Sequence, residues 1–174
     1  MRFSAVWKVL CGAAVRRPRC RAAHFYTKIE YVDRLEDVAA PADKFTIYLP
    51  QHNAQQAYDT VYASQQSIYS VAVAGECWVD IMNPGVHKGA ALQTLGQLWG
   101  LPSESMMAFG DTYNDAEMLQ TVRYGFLMEN GSEPLRQKVP FLAPSHREAG
   151  VMQVLHRVLA QNGCVCPEDF VPAH

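Results

Sequence analysis

The sequence predicts an α/β protein: a parallel sheet with flanking helices, preceded by a smaller α+β unit. Three observations predict it. Short apolar runs alternate with segments of helical apolar spacing from Gly89 to Leu159. A β-rich segment, a helical segment and a hairpin-like pair of β-rich segments precede them between Lys44 and Met82. The 174 residues are 49% hydrophobic, enough for one ordinary domain and a smaller appendage.

Taken in order, Phe45 to Leu49 reads as a strand stopped by Pro50, and Asn53 to Ala63 reads as a helix behind an Asn53 cap. Ile68–Val73 and Trp78–Met82 flank a glycine-containing connection and read as a hairpin. This βαββ unit implies a sheet antiparallel in part and too small to close a core alone. After Asn83-Pro84-Gly85 the pattern changes. Ala91, Leu92, Leu95, Leu98 and Trp99 form a helical stripe ending at Gly100. A strand at Met106–Phe109, a helix at Ala116–Val122, a strand at Tyr124–Met128, helix-compatible Glu133–Lys138, a strand at Phe141–Leu142 and a last helix carrying Val151, Val154, Leu155, Val158 and Leu159 follow. The expected organisation is an unassigned segment 1–25, a first unit 26–83, a second unit 84–162 and a tail 163–174. Trp78 and Trp99 are expected in core or inter-domain packing.

The net charge of -2 and the absence of a basic patch beside the tryptophans point away from nucleic acid, and no apolar run is long enough for a membrane helix. The charge is nonetheless uneven. No Asp or Glu precedes Glu30, while Arg2, Lys8, Arg16, Arg17, Arg19, Arg21 and Lys28 do. Such a start has the composition of a mitochondrial transit peptide; the preferred reading is the edge of a domain. Five cysteines without a CxxC pair favour a reducing, cytoplasmic setting.

The chemistry concentrates in AFGDTYNDAEML, residues 108–119. Gly110 ends an apolar strand, so Asp111 leaves the carboxyl edge of a parallel sheet, where ligands of such sheets bind. Asp111 and Asp115 are hard oxygen donors of the kind Mg²⁺ takes, and Asn114 opens the next helix, where an anion is favoured. Cation and anion together suggest a phosphate. Lys88 opens another helix against its own dipole, which is reasonable if an anion sits beside it. His87 beside it reads as a pocket or a solvated loop residue.

With DIMNPGVHKGAALQTL, MAFGDTYNDAEML, YGFLMENGSEPLRQKV and REAGVMQVLHRVL in this order, the chain resembles the C-terminal half of a haloacid dehalogenase-like (HAD) phosphatase of the Cof type. Lys44 to Met82 is similar to the end of that family's α+β cap, and Tyr26 to Leu35 matches more loosely. The fold thus implied is a partial HAD-like Rossmannoid core plus a cap remnant. The resemblance also implies that Lys88 orders nucleophile and phosphate, Asp111 ligates Mg²⁺, Asn114 contacts the phosphoryl group and Asp115 assists at the metal. It implies hydrolysis of small phosphorylated metabolites, sugar phosphates first, through a phospho-aspartyl intermediate.

The family's Asp-x-Asp-Gly-Thr nucleophile motif has no counterpart, since the sequence contains no Asp-x-Asp. The expectation is therefore a shortened form that needs a longer chain or complementation for activity, with an open sheet edge that favours self-association. The alternative is a non-catalytic remnant that binds phosphate ligands or a protein partner. A cation-pumping ATPase, which shares the Gly-Asp-x-x-Asn-Asp signature, is disfavoured by the cap-like unit and the lack of membrane segments.

Overall fold

The computed structural model describes residues 28–39 and 41–174 in full and the backbone of residues 9–12. The chain divides into two compact units, Met1–Ala42 and Asp43–His174. In the first, strand β1 (Val9–Gly12) runs parallel to β2 (Ile29–Val32), with Val9 opposite Ile29, and a 3-10 turn follows at Leu35–Asp37. Most of the basic segment expected to be a leader or a domain edge lies outside the described residues.

The second unit contains two sheets. Strands β3 (Lys44–Tyr48), β4 (Ser70–Val73) and β5 (Trp78–Met82) form an antiparallel sheet in the order β3-β5-β4. The connection between β3 and β4 begins as α1 (Ala54–Ala57) and continues through a π turn at Tyr58–Tyr62 and a 3-10 turn at Ala63–Ser67. Alternation places Val71 and Val79 on the face that meets Ala54, and Ile47, Tyr58 and Tyr62 close around them. Tyr48 stacks at a tilt on the half-buried Trp78 at 4.6 Å. The helix is less regular than its spacing suggests. Asn53 occupies the cap position without a side-chain cap hydrogen bond.

The second sheet has the order β6-β7-β8-β9: β6 (Met107–Gly110), β7 (Tyr124–Met128) and β8 (Phe141–Ala143) are parallel, and β9 (Val171–Pro172) is antiparallel to β8. Helices α2 (Lys88–Trp99), α3 (Ala116–Thr121) and α4 (Gly150–Ala160) accompany it. The interior strand β7 is covered on both faces, which is why it reads as a continuous apolar run. Leu127 joins Leu119, Leu135 and Val139 on one side, while Phe126 and Met128 join Phe141, Val154 and Phe170 on the other. Phe126 is fully buried, its ring 5.0 Å from Phe170 edge to face and 5.1 Å from Phe109.

Two positions depart from the sequence pattern. The tail contributes β9, with Phe170 and Ala173 buried, although residues 163–174 carry too few apolar positions to announce a strand. Trp99 is not a core residue: it is 63% exposed and Leu98 is 74% exposed. Helix α2 instead turns Gly89, Leu92 and Gly96 inward, because the small residues permit close approach. A Cβ on Gly89 would lie 2.8 Å from the Glu117 carbonyl oxygen of α3. That contact brings the start of α2 against the start of α3.

Candidate active site

The site grows from the end of β6. Strand, turn and helix follow within six residues, so the chain must reverse tightly after Gly110. A Cβ at Gly110 would overlap the Asp115 side chain, which curls back beneath the strand end and lies 2.7 Å from that position at Cγ. Glycine is required there for space. Thr112 and Asp115 then form a capping box around the 3-10 turn Tyr113–Asp115. Asp115 Oδ2 accepts from the backbone amides of Asp111 at 3.0 Å and Thr112 at 3.3 Å, and the Asp115 amide donates to the Thr112 carbonyl at 2.9 Å. The Thr-x-x-Asp spacing was the sequence signal for this box; Thr112 itself had not been singled out.

Asp115 is 4% exposed, and Lys88 Nζ donates to its second oxygen, Oδ1. A buried carboxylate is costly unless paired and hydrogen-bonded, and here both conditions are met. The anion expected beside Lys88 is therefore supplied, at least in part, by the protein. Lys88 remains about half exposed and also reaches Asn114 Oδ1 at 3.4 Å. His87, next to it, caps α2: its Nδ1 accepts from the Ala90 amide at 3.2 Å.

Asn114 Oδ1 accepts a second bond, from Thr112 Oγ1 at 2.6 Å. With its oxygen committed to Lys88 and Thr112, the amide nitrogen is the end left to donate. The Asp111 carboxylate is exposed and makes no side-chain hydrogen bond or ion pair among the described residues, while its carbonyl accepts from the Ser132 amide at 2.8 Å. The arrangement thus unites all four residues that the sequence singles out. It leaves one free carboxylate, one ammonium and one amide donor.

Mg²⁺ commonly uses one or two protein carboxylates together with waters and substrate phosphates. Asp111 fits that pattern as a direct ligand. Asp115, with both oxygens engaged, fits as a support behind it. Among the described residues no group of three or more His, Cys, Asp or Glu could by itself enclose a metal.

A cleft of about 530 Å³ opens beside the turn. Thr112, Tyr113 and Ser132 line it from the parallel-sheet side, and His52, Asn53, Gln56 and Glu76 line it from the βαββ side. His52, Gln56 and Glu76 carry no sequence motif, and Asn53 was expected only as a helix cap. Chain pairing across the antiparallel sheet assembles them: Ala54 N donates to the Glu76 carbonyl at 3.0 Å, and His52 Nδ1 meets Glu76 Oε2 at 2.8 Å.

The chain shows consistent likenesses to known proteins. A family profile described as haloacid dehalogenase-like hydrolase matches residues 15–155. The 5-amino-6-(5-phospho-D-ribitylamino)uracil phosphatase YbjI of Escherichia coli (strain K12) is 30% identical over 138 residues, covering 79% of this chain and 51% of that protein. An HMP-PP phosphatase of Escherichia coli (strain ATCC 8739) is 45% identical over 69 residues, covering 40% of this chain and 27% of that one. A crystal structure from Streptococcus mutans UA159 superposes with a TM-score of 0.76 at 26% identity, covering 87% of this chain and 57% of its own. The chain spans about half the length, or less, of these curated relatives. It belongs to the haloacid dehalogenase-like hydrolase family.

Proposed function

We propose that this chain carries the Lys88–Asp111–Asn114–Asp115 portion of a Mg²⁺-dependent phosphatase site for small phosphorylated metabolites, sugar phosphates first among them. The observation that carries the reading is the division of labour within the cluster. Asp115 is consumed in building the turn and holding Lys88, while Asp111 and the Asn114 amide nitrogen stay free beside a cleft. The names of the phosphatases similar to this chain support the same reading.

In this reading the Lys88 ammonium and the Asn114 amide face the phosphoryl oxygens, where positive charge and donors stabilise phosphoryl transfer. Asp115 orients Lys88 and fixes the backbone on both sides of Asp111. Asp111 holds Mg²⁺, which when bound neutralises charge on the phosphoryl group. The phospho-aspartyl step needs a nucleophilic carboxylate and an acid two positions on, and these 174 residues contain no Asp-x-Asp. The chain by itself therefore binds phosphate and does not turn it over. A non-catalytic phosphate binder is the second reading, favoured by that same missing motif.

We further propose that residues 26–83 are the cap portion and 84–162 the core portion, with the turn after β5 as the boundary; Val86 N donates to the Asn83 carbonyl there at 3.1 Å, and Gly85 has φ +76°. Cys77, Cys164 and Cys166 are free thiols, in keeping with a cytoplasmic setting. No described helix is long and apolar enough to cross a membrane. Strand β6 has one strand neighbour among the described residues, which supports self-association through its other edge.

The test pairs calorimetric titration of inorganic phosphate, with and without Mg²⁺, with a turnover assay on a panel of sugar phosphates. Mg²⁺-dependent binding that disappears in Asp111→Ala, without turnover, is the expected result. Turnover by the purified chain would show that a residue other than an Asp-x-Asp carboxylate acts as nucleophile. Phosphate binding unchanged in both Asp111→Ala and Lys88→Ala would remove the site.

A further inference from the structure

The segment between α4 and β9 carries a pair of thiols that the phosphatase reading does not use. Cys164 and Cys166 stand two residues apart, and both are free and exposed. Val165 between them packs inward against the cluster of Phe126 and Phe170, and its carbonyl accepts from the Tyr124 hydroxyl at 3.0 Å. One residue in and its neighbours out is the alternation of extended backbone, and Cys166 itself has φ -112° and ψ 158°. The two thiols therefore share one outward face.

The backbone on either side of Val165 is pinned. Cys164 N donates to the Gln161 carbonyl at 3.0 Å, and Cys166 N donates to Asp169 Oδ2 at 2.6 Å. The Asp169 amide donates in return to the Cys166 side chain, closing a capping box, and the Arg157 guanidinium donates to the Asp169 carbonyl. Residues i and i+2 of extended backbone lie about 6.6 Å apart at Cα. That is near the upper limit of disulfide geometry, in which the sulfurs close to about 2 Å. A metal ion bonded to each sulfur at about 2.3 Å holds them about 4.6 Å apart instead. A pinned, extended pair suits a bridging ion better than a bond to itself.

We propose that Cys164 and Cys166 form a two-thiolate site for a soft monovalent cation, Cu⁺. Thiolates select soft ions over hard ones. The ligand count narrows the choice further: among the described residues no group of three or more His, Cys, Asp or Glu could hold an ion. Zn²⁺ at this pair would lack two of the four ligands it takes in structural sites. Cu⁺ is complete with two thiolates in line. The Asp169 carboxylate is engaged by the Cys166 amide, and the Asp169 amide fixes the direction of the Cys166 sulfur, as hydrogen bonds behind a metal ligand do. Binding exchanges the two thiol protons for one Cu⁺, so both protons pass to solvent. The site is independent of the phosphatase reading and lies on other residues.

The test titrates the full, reduced chain with Cu⁺ in the absence of oxygen, in competition with a chromophoric Cu⁺ chelator. One equivalent should be held by the unaltered chain and by a Cys11→Ser/Cys20→Ser variant alike. Cys164→Ser and Cys166→Ser should each lower the affinity about hundredfold, since each removes one of the two soft ligands. Circular dichroism checks that both variants keep the fold, and Cys164→Ser decides alone if Cys166→Ser disturbs the capping box. X-ray absorption of the loaded chain should show two sulfur neighbours, and equimolar Zn²⁺ should not displace the ion. The inference is overturned if the chain holds no Cu⁺, if Cys164→Ser binds it as tightly as the unaltered chain, or if the Cys11→Ser/Cys20→Ser variant loses it. Three or more sulfur neighbours, or displacement by Zn²⁺, overturns it as well.

Discussion

The turn at 110–115 and the wall at 52–56 both face the cleft, yet they are built in opposite ways. In the turn, every oxygen of Asp115 is engaged by Lys88 or by a backbone amide, and Thr112 closes the box from the other side. In the wall, one amide oxygen is orphaned, one glutamine is unpaired and the backbone passes through a left-handed histidine. The difference teaches where each region's stability comes from. The turn is pre-organised by local hydrogen bonds and can hold a reacting group in place without help. The wall depends on the hairpin behind it, to which Ala54 N and His52 tie it through Glu76.

That contrast can be broken most severely at Asp115. Asp115→Ala removes the partner of Lys88 and the anchor of two backbone amides at a 4% exposed position. It should lower the unfolding free energy by about 3 kcal/mol in urea denaturation, with Mg²⁺-dependent phosphate binding lost as well. Gly110→Ala should cost about 2 kcal/mol in the same measurement, since the added Cβ meets the Asp115 carboxyl group. Thr112→Ala, which opens the capping box but leaves the Lys88 pair, should cost about 1 kcal/mol.

At the small end, Asp111→Ala should change stability by less than about 0.5 kcal/mol, because its exposed carboxylate has no partner among the described residues, while Mg²⁺-dependent phosphate binding disappears. Asn53→Ala should be as quiet in urea, since an acceptor without a partner contributes nothing to lose. A loss at Asn53 as large as that at Thr112 would mean that the two regions are built alike, and the contrast would fail.

The order of elements in the parallel sheet was legible in the sequence, because each strand is a short apolar run and the intervening segments carry apolar residues at helical spacing. Tyr124–Met128 appears as β7 at the same residues, and Gly100 ends α2 with φ +65°. Three of the four candidate residues were legible for a similar reason: Asp111, Asn114 and Asp115 lie within one local turn whose chemistry is written in adjacent letters. Trp99 was misjudged because helical spacing reports that a face is apolar without saying whether glycines at 89 and 96 will claim the inward side. Strand β9 escaped notice because two residues pairing with β8 leave no periodicity to detect.

What the sequence by itself determined, then, is everything set by neighbours within a turn or two: the strand–turn–helix at 107–121, its capping box and the identity of the charged groups there. Only the tertiary structure decided that Lys88, from a different helix, would spend its charge on the buried Asp115, and that Asn114 would keep its nitrogen free. It also decided the cleft wall. His52 and Glu76 are 24 residues apart and come together through the pairing of β3 with β5, a long-range contact whose free energy comes from burying Val71, Val79 and Ala54 rather than from any property of the residues that line the cleft.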